Sequence, residues 1–254
     1  MMKLFFKKFG EGPPLLILHG LFGSSDNWQT QAKALAEDHT VYLVDQRNHG
    51  HSPHSSEFSY PLMAEDLYEL LAEEGLRDVN LIGHSMGGKT ILWFAQQYGF
   101  LVHKMIVADM GIKAYPPHHD LVFAGLFEVD VERCESRKQA EERISKHIQD
   151  TSTIQFLLKN LYWKEPGKLA WRFNLPVLFE KREETMQGLS DITINNEVLF
   201  LRGGMSNYVK DEDFASIQKL VPHATFETID HAGHWLHAES PVEFVAHCKK
   251  YFSA

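Results

Sequence analysis

The stretch "LIGHSMGGKT", Leu81 to Thr90, satisfies two catalytic patterns at once. From Gly83 to Thr90 it is G-x-x-x-x-G-K-T, the loop whose backbone cradles phosphates in nucleotide hydrolases. From Gly83 to Gly87 it is G-x-S-x-G, a strand-to-helix turn that presents a nucleophilic serine. At ordinary Gly and Ser frequencies the shorter pattern arises by chance in about one chain in ten of this size. The surroundings therefore decide between the two.

Short apolar runs alternate with helical patterns along the chain, the signature of an α/β fold with a mainly parallel sheet. The runs are "LLIL" (15–18), "VYLV" (41–44), "VNLI" (79–82), "MIVA" (105–108), "VLFL" (198–201) and "TFETI" (225–229). Their continuous apolar character suits strands buried on both faces. "SYPLMAEDLYELLAEEG" (59–75) places Leu62, Leu67, Leu70 and Leu71 on one helical face and stops at Gly75. In "SPVE", Ser240 is an expected N-cap, Pro241 a first-turn residue and Glu243 the capping-box partner of a last helix. Residues 112–190 break the alternation with charge-rich helical stretches such as "ESRKQAEERISKHIQD" (135–150) and no clear strand. So long an insertion is expected to form a helical lid. The division is then 1–111 plus 191–254 as core and 112–190 as cap. Phe123, Phe127, Phe156, Trp163, Trp171 and Phe173 are mostly expected to pack inside the insertion rather than line a pocket.

The nucleotide reading gains a mimic of a magnesium-binding strand end in "MIVAD" (105–109), but buried strands ending in Asp are common, and "VYLVD" (41–45) is another. Acyl transfer uses features that nucleotide binding leaves idle. "LHGLFG" (18–23) follows an early strand and offers a backbone N–H to an anionic carbonyl oxygen; Leu21 and Met86, the residue after the serine, are the expected donors, with His19, Phe22 and His84 nearby. The tail "DHAGHWLHAESP" (230–241) supplies three histidines, of which His234, mid-loop after Gly233, is best placed to act as general base, with Trp235 beside it. His231 follows the strand directly and His237 nears the helix start. Three histidines also suggest a metal site, but no HExxH or carboxylate-rich partner accompanies them, so no metal is expected. A helix starting right after Ser85 would put Lys89 in its first turns, an ordinary and solvated helix residue rather than a phosphate ligand.

"HGLFGS", "DQRNHGHS", "GHSMGGK", "WRFNLPVL" and "GHWLHAE" together resemble the α/β-hydrolase superfamily and, more narrowly, the YbfF-type esterases, over residues 3 to 252. The resemblance implies an eight-stranded-type sheet flanked by helices, a helical cap inserted after the sixth strand, ester hydrolysis on a serine nucleophile, and no cofactor. It admits acyl-CoA thioesters as substrates. Dehalogenases and epoxide hydrolases use a carboxylate where this chain has Ser85.

The acid partner is less explicit. The loop after the 198–201 strand, "RGGMSNYV", has no carboxylate before Asp211, and Ser206 stands where one is often found. Asp109 ends the preceding strand at the edge where open α/β sheets place their sites, and the order Ser85, Asp109, His234 is that of this fold. Asp109 is thus the expected acid with Ser206 as its helper, and Asp211 the alternative. A C–C bond hydrolase sharing the serine machinery and a ligand receptor retaining it are the rival readings.

Charge and composition exclude other classes. The formal net charge of −9 leaves no broad basic face for nucleic acid. Cys134 and Cys248 are too few for a disulfide framework. "MMKLFFKKFG" is too interrupted by lysine for a signal peptide, and no run is long enough to span a bilayer. A cytoplasmic enzyme acting on a small-molecule acyl ester or thioester is the expectation; the oligomeric state is left open.

Overall fold

The computed structural model describes residues 2–116, 119–189 and 193–253. The expected core–cap boundary at 190/191 lies outside them. In chain order the elements are β1 (Phe6–Phe9), β2 (Pro14–Leu18), α1 (Gln29–Leu35), β3 (Thr40–Val44), α2 (Tyr60–Glu73), β4 (Val79–His84), α3 (Met86–Tyr98) and β5 (Val102–Ala108). Then follow α4 (Asp120–Glu128), α5 (Arg137–Ile144), α6 (Thr151–Leu158), β6 (Leu161–Glu165), β7 (Lys168–Trp171) and α7 (Leu175–Glu180). The chain closes with β8 (Glu197–Gly203), α8 (Phe214–Leu220), β9 (Ala224–Ile229), α9 (Leu236–Glu239) and α10 (Pro241–Ser253).

Seven strands form the main sheet in the order β1-β3-β2-β4-β5-β8-β9. Only β1 runs antiparallel to its neighbour; the other pairings are parallel. All six apolar runs read from the sequence are strands of this sheet. The eight-stranded expectation is corrected to seven among the described residues, and the helical segment follows the fifth strand in chain order rather than the sixth. The strand that sequence reading passed over is "FKKF", whose lysines are tolerated because β1 is an edge strand.

Parallel strands covered on both sides must be apolar on both faces. In β2, Leu16 and Leu18 join the cluster built with Leu67 and Leu71 of α2 and Ile91 and Phe94 of α3. Leu15 and Ile17 point the other way, onto Ala32 and Leu35 of α1 and Phe244 and Cys248 of α10. α2 buries Met63, Ala64, Leu67, Leu70 and Leu71, while Leu62 is only half-buried, so the buried face is rotated towards Met63. Ser59 caps α2 by accepting from Leu62 N–H, and Gly75 ends it with φ 66°.

Between β5 and β8 the chain forms α4 to α7 and one antiparallel hairpin, β6–β7, with its own interior of Phe123, Ile144, Leu157, Trp171 and Phe173. The hairpin replaces the expected purely helical segment. Its signal was the turn "EPGK" (165–168), with Pro before a glycine at φ 79°, the composition a type II turn requires.

The β4–α3 turn is where backbones approach most closely. A Cβ on Gly83 would lie 2.3 Å from Gly87 O, and one on Gly87 would lie 2.3 Å from Leu18 O. Gly75, by contrast, has open space around its missing side chain. Gly75→Ala is expected to cost about 1 kcal/mol for its left-handed φ. Gly83→Ala, which forces backbone apart, is expected to cost about 3 kcal/mol or more. Urea unfolding of the two variants beside the parent checks the ranking.

Candidate active site

Ser85 sits between β4 and α3 with φ 51° and ψ −116°, a conformation an L-residue adopts only when its surroundings impose it. Its N–H is tied to Ala108 O at the end of β5 (3.1 Å). α3 begins at the very next residue, so Met86 N–H is a first-turn donor without a helical acceptor.

Asp109 ends β5, also in the left-handed region (φ 47°), and its side chain is fully buried. Three donors from two other loops meet that carboxyl. His234 Nδ1 lies 2.7 Å from Oδ2, Gly203 N–H donates to Oδ1 at 3.1 Å, and Ser206 Oγ–H donates to Oδ2. A carboxylate only accepts, so Nδ1 of His234 carries the proton of this bond, and in the neutral ring Nε2 is the acceptor. Tyr208 stacks on the His234 ring at 4.0 Å and 16°, fixing its plane. His84 Nε2 lies 2.8 Å from His234 O; a carbonyl only accepts, so this is a donated N–H that holds the histidine's backbone.

Ser85, Asp109, Ser206 and His234 are thus brought to the carboxyl edge of one sheet, as expected from sequence. The other two tail histidines make different contacts, although His237 lies beside His84, which also packs against His234. His231 faces Ser240 and Glu243 at the surface (2.8 and 3.7 Å). His237 is buried, stacked on Trp28 at 4.0 Å and 6°. Asp211 begins a short turn before α8 and is exposed, paired with Arg202 at 2.5 Å, so it makes no contact with His234.

The loop 19–23 is held by two neutral imidazoles. His19 Nδ1–H donates to Gly20 O (2.8 Å) while its Nε2 accepts from Gln46 N–H (3.1 Å). His49 Nδ1–H donates to Arg47 O (2.9 Å) while its Nε2 accepts from Phe22 N–H (3.2 Å). With Phe22 (φ 61°) committed to His49, Leu21 N–H has no intramolecular acceptor among the described residues. His49 is a site residue that sequence reading missed; it lay in the quoted "DQRNHGHS", whose contribution depends on a contact 27 residues away.

Ser85, His234, His19, Leu21, Phe22, His84 and Trp235 all line one cavity of about 430 Å³. Of the six aromatics named above in the 112–190 segment, Phe156 lines it, 5.5 Å from Trp235. Phe123, Trp171 and Phe173 are buried inside the segment, and Phe127 and Trp163 are exposed.

Lys89 corrects another expectation. It is not solvated but fully buried, donating to Gln187 O and lying over the rings of Tyr115 (5.0 Å) and Tyr60 (5.8 Å). Burial lowers its pKa to about 7. Placed so, it cannot serve a phosphate loop, and the nucleotide reading of "GHSMGGKT" falls.

With this geometry in place, comparison with known proteins adds the family. The sequence profile of the alpha/beta hydrolase fold matches residues 13–241. The chain belongs to that family. It is 38% identical over 247 residues to the sn-1-specific diacylglycerol lipase ABHD11 of Xenopus laevis, covering 92% of this chain and 78% of that one. It is 33% identical over 241 residues to the esterase YbfF of Escherichia coli, covering 94% and 93%. A solved structure titled "Marine microorganism esterase" superposes with a TM-score of 0.96 at 41% identity, over 98% of this chain and 99% of that chain. The protein is accordingly an α/β hydrolase of the esterase/lipase type that resembles YbfF. Among the described residues no helix is long and apolar enough to cross a membrane.

Burial also keeps the surrounding imidazoles uncharged. It pushes His19 down to about 4, and His49 and His237 to about 3. Below the unfolded value near 6.5 the unfolded chain binds protons that these folded groups refuse, so their stabilisation is complete above that pH and declines as pH falls. Each contributes a slope of about 1.4 kcal/mol per pH unit over that window. His237→Phe, which retains a ring over Trp28, is expected to reduce the slope of unfolding free energy between pH 6 and 4 by about one proton, read from urea titrations.

Proposed function

We propose that the protein is a serine carboxylic-ester hydrolase working through an acyl-enzyme on Ser85, with His234 as general base and acid and Asp109 as the carboxylate that orients it. The observation that carries this reading is the 2.7 Å Asp109–His234 contact, which assigns the Nδ1–H tautomer to a ring lining the same cavity as the elbow serine.

His234 Nε2 takes the proton of Ser85 Oγ–H as the oxygen bonds to the acyl carbon. The carbonyl π electrons move onto oxygen, and the Leu21 and Met86 N–H groups hold that oxyanion. When the intermediate collapses, the C–O or C–S bond to the leaving group breaks, and His234 delivers its proton to the departing alcohol or thiol. Water then attacks the acyl-enzyme by the same route and restores Ser85 Oγ–H. The Asp109 carboxylate stabilises the imidazolium, and Ser206 and Gly203 hold it in place.

Residues 112–190 act as the cap, and Phe156 brings apolar surface to the cavity, which favours acyl compounds of short to medium length over sugars or free ions. The acceptance of esters by relatives named esterase and lipase supports the same class, and thioesters, including acyl-CoA, fit the same chemistry.

Three variants test the assignment of the acid. Asp109→Asn preserves shape but favours the wrong imidazole tautomer, and kcat is expected to fall ~10³ to 10⁴-fold. Ser206→Ala removes a supporting hydrogen bond and is expected to cost ~10-fold, the equivalent of about 1 kcal/mol. Asp211→Asn breaks only an exposed ion pair and is expected to leave kcat within about 2-fold. Initial rates on p-nitrophenyl acetate decide; a crippled Asp211→Asn enzyme beside a normal Asp109→Asn enzyme overturns the triad.

A further inference from the structure

The backbone of Phe22 is gripped at both ends. Its N–H donates to His49 Nε2 in the loop after β3, and its carbonyl oxygen accepts from the side-chain amide of Asn160 at 2.7 Å. Asn160 lies just beyond the end of α6, 138 residues from Phe22 in the chain. Its Nδ2 faces a second carbonyl, Leu157 O, at 3.4 Å. Carbonyls only accept, so the amide nitrogen is the end turned towards them. The side chain is buried, and the Asn160 carbonyl is itself held by Arg172 N–H at 2.9 Å.

Phe22 needs such a grip. Residues 20 to 23 close a turn through Gly23 N–H to Gly20 O at 2.9 Å, with Leu21 and Phe22 in its middle. Of these two only Phe22 has positive φ, 61°, which is the pattern of a type II turn, a position that normally takes glycine. Phenylalanine stays there only if its surroundings impose it. Three contacts do so: His49 on the N–H, Asn160 on the carbonyl, and Phe123 and Phe173 edge-on against the ring at 5.3 and 5.2 Å. All but the first come from the 112–190 segment. Leu21 N–H belongs to the peptide that enters this turn, so its direction is set by the turn type.

We propose that Asn160 is a positioning residue for catalysis: by holding the Phe22 carbonyl it keeps the 20–23 turn in the conformation that aims Leu21 N–H at the oxyanion. The proposal rests on the ester-hydrolase reading above and deepens it. Gln155 and Phe156 of α6 line the cavity that holds Ser85. The helix that meets the substrate and the donor that meets its oxyanion are therefore joined through the Asn160 side chain. Releasing the carbonyl lets Phe22 relax to negative φ, which changes the turn and misdirects Leu21 N–H while Ser85, His234 and Asp109 stay in place.

The test compares the parent with Asn160→Leu, Asn160→Ser and Ser136→Ala. Leucine matches the size of asparagine without a donor, and serine is too short to reach Phe22 O. Ser136 caps α5 by accepting from Gln139 N–H at 3.1 Å and does not line the cavity, so Ser136→Ala weakens the cap without touching the turn. On p-nitrophenyl acetate, kcat of both Asn160 variants is expected to fall ~10-fold, the size of one neutral hydrogen bond. KM is expected to stay within about 2-fold, because the oxyanion exists in the transition state and not in the bound ester. The inhibition constant of 2,2,2-trifluoroacetophenone, whose hemiketal on Ser85 carries its oxyanion at the same position, is expected to rise by the same ~10-fold. Ser136→Ala is expected to lower the urea midpoint of unfolding yet keep kcat within about 2-fold.

An unchanged kcat in the Asn160 variants, a loss confined to KM, or a ketone affinity that does not fall with kcat overturns the proposal and leaves ester hydrolysis intact. An equal loss of kcat in Ser136→Ala overturns it as well, since the effect is then one of cap stability. Should Asn160→Leu fail to fold, Asn160→Ser, which only removes atoms, decides by the same readouts. No hydrolysis of p-nitrophenyl acetate by the parent overturns the ester-hydrolase reading and this proposal with it.

Discussion

A carboxylate with no solvent contact must be met by donors, and in this protein the Asp109 side chain is fully buried at the end of β5. Leaving such a charge unpaired costs several kcal/mol, so the fold has to deliver donors to one point. Gly203 N–H and Ser206 Oγ–H come from the end of β8 and the loop after it, and His234 Nδ1–H from the loop after β9. β5, β8 and β9 are consecutive neighbours in the sheet and parallel, so their carboxyl ends lie at the same edge. β4, on the other side of β5, brings Ser85 to that edge as well. The site is a consequence of strand order, with Ser85 and Asp109, which leave the sheet abruptly, among the non-glycine residues held at positive φ.

The same edge is surrounded by imidazoles that are not bases. His19, His49, His84 and His237 are all driven towards the neutral form by burial, and three of them use their ring nitrogens as fixed donors or acceptors for backbone groups. His234 is the partly exposed one, with a carboxylate on one nitrogen. Neutral imidazoles give the loop 19–23 its shape without adding positive charge at this edge of the sheet. They also tie the shape of the site to stability, since acid that protonates the scaffold loosens the loop that holds Leu21.

The parts legible in the sequence were those set by local pattern. Five buried strands announced themselves as apolar runs, the half-exposed edge strand β9 as the mixed run "TFETI", and "GHS" after one of them announced the elbow. The position of Asp109 at the sheet edge was legible because it ends an apolar strand, and "RGGMSNYV" carries Ser206, which meets its carboxyl, rather than a carboxylate of its own. What escaped depended on distant contacts. Lysine is almost never fully buried, and nothing near Lys89 in the chain reveals that Gln187, 98 residues on, supplies its acceptor. The β6–β7 hairpin was hidden by the charged residues around "EPGK", which are compatible with helix and hairpin alike. β1 was hidden because an edge strand needs no continuous apolar run. The rotation of α2 towards Met63 reflects packing against α3, which the helical period alone does not specify.

The central claim is that Ser85 is the nucleophile. Stoichiometric reaction with a fluorophosphonate followed by peptide mapping tests it most directly. The account predicts one phosphonyl group per chain, located on Ser85, with ester hydrolysis lost in proportion to labelling and no labelling of Ser85→Ala. Full ester hydrolysis by an enzyme whose Ser85 is blocked or replaced would contradict it.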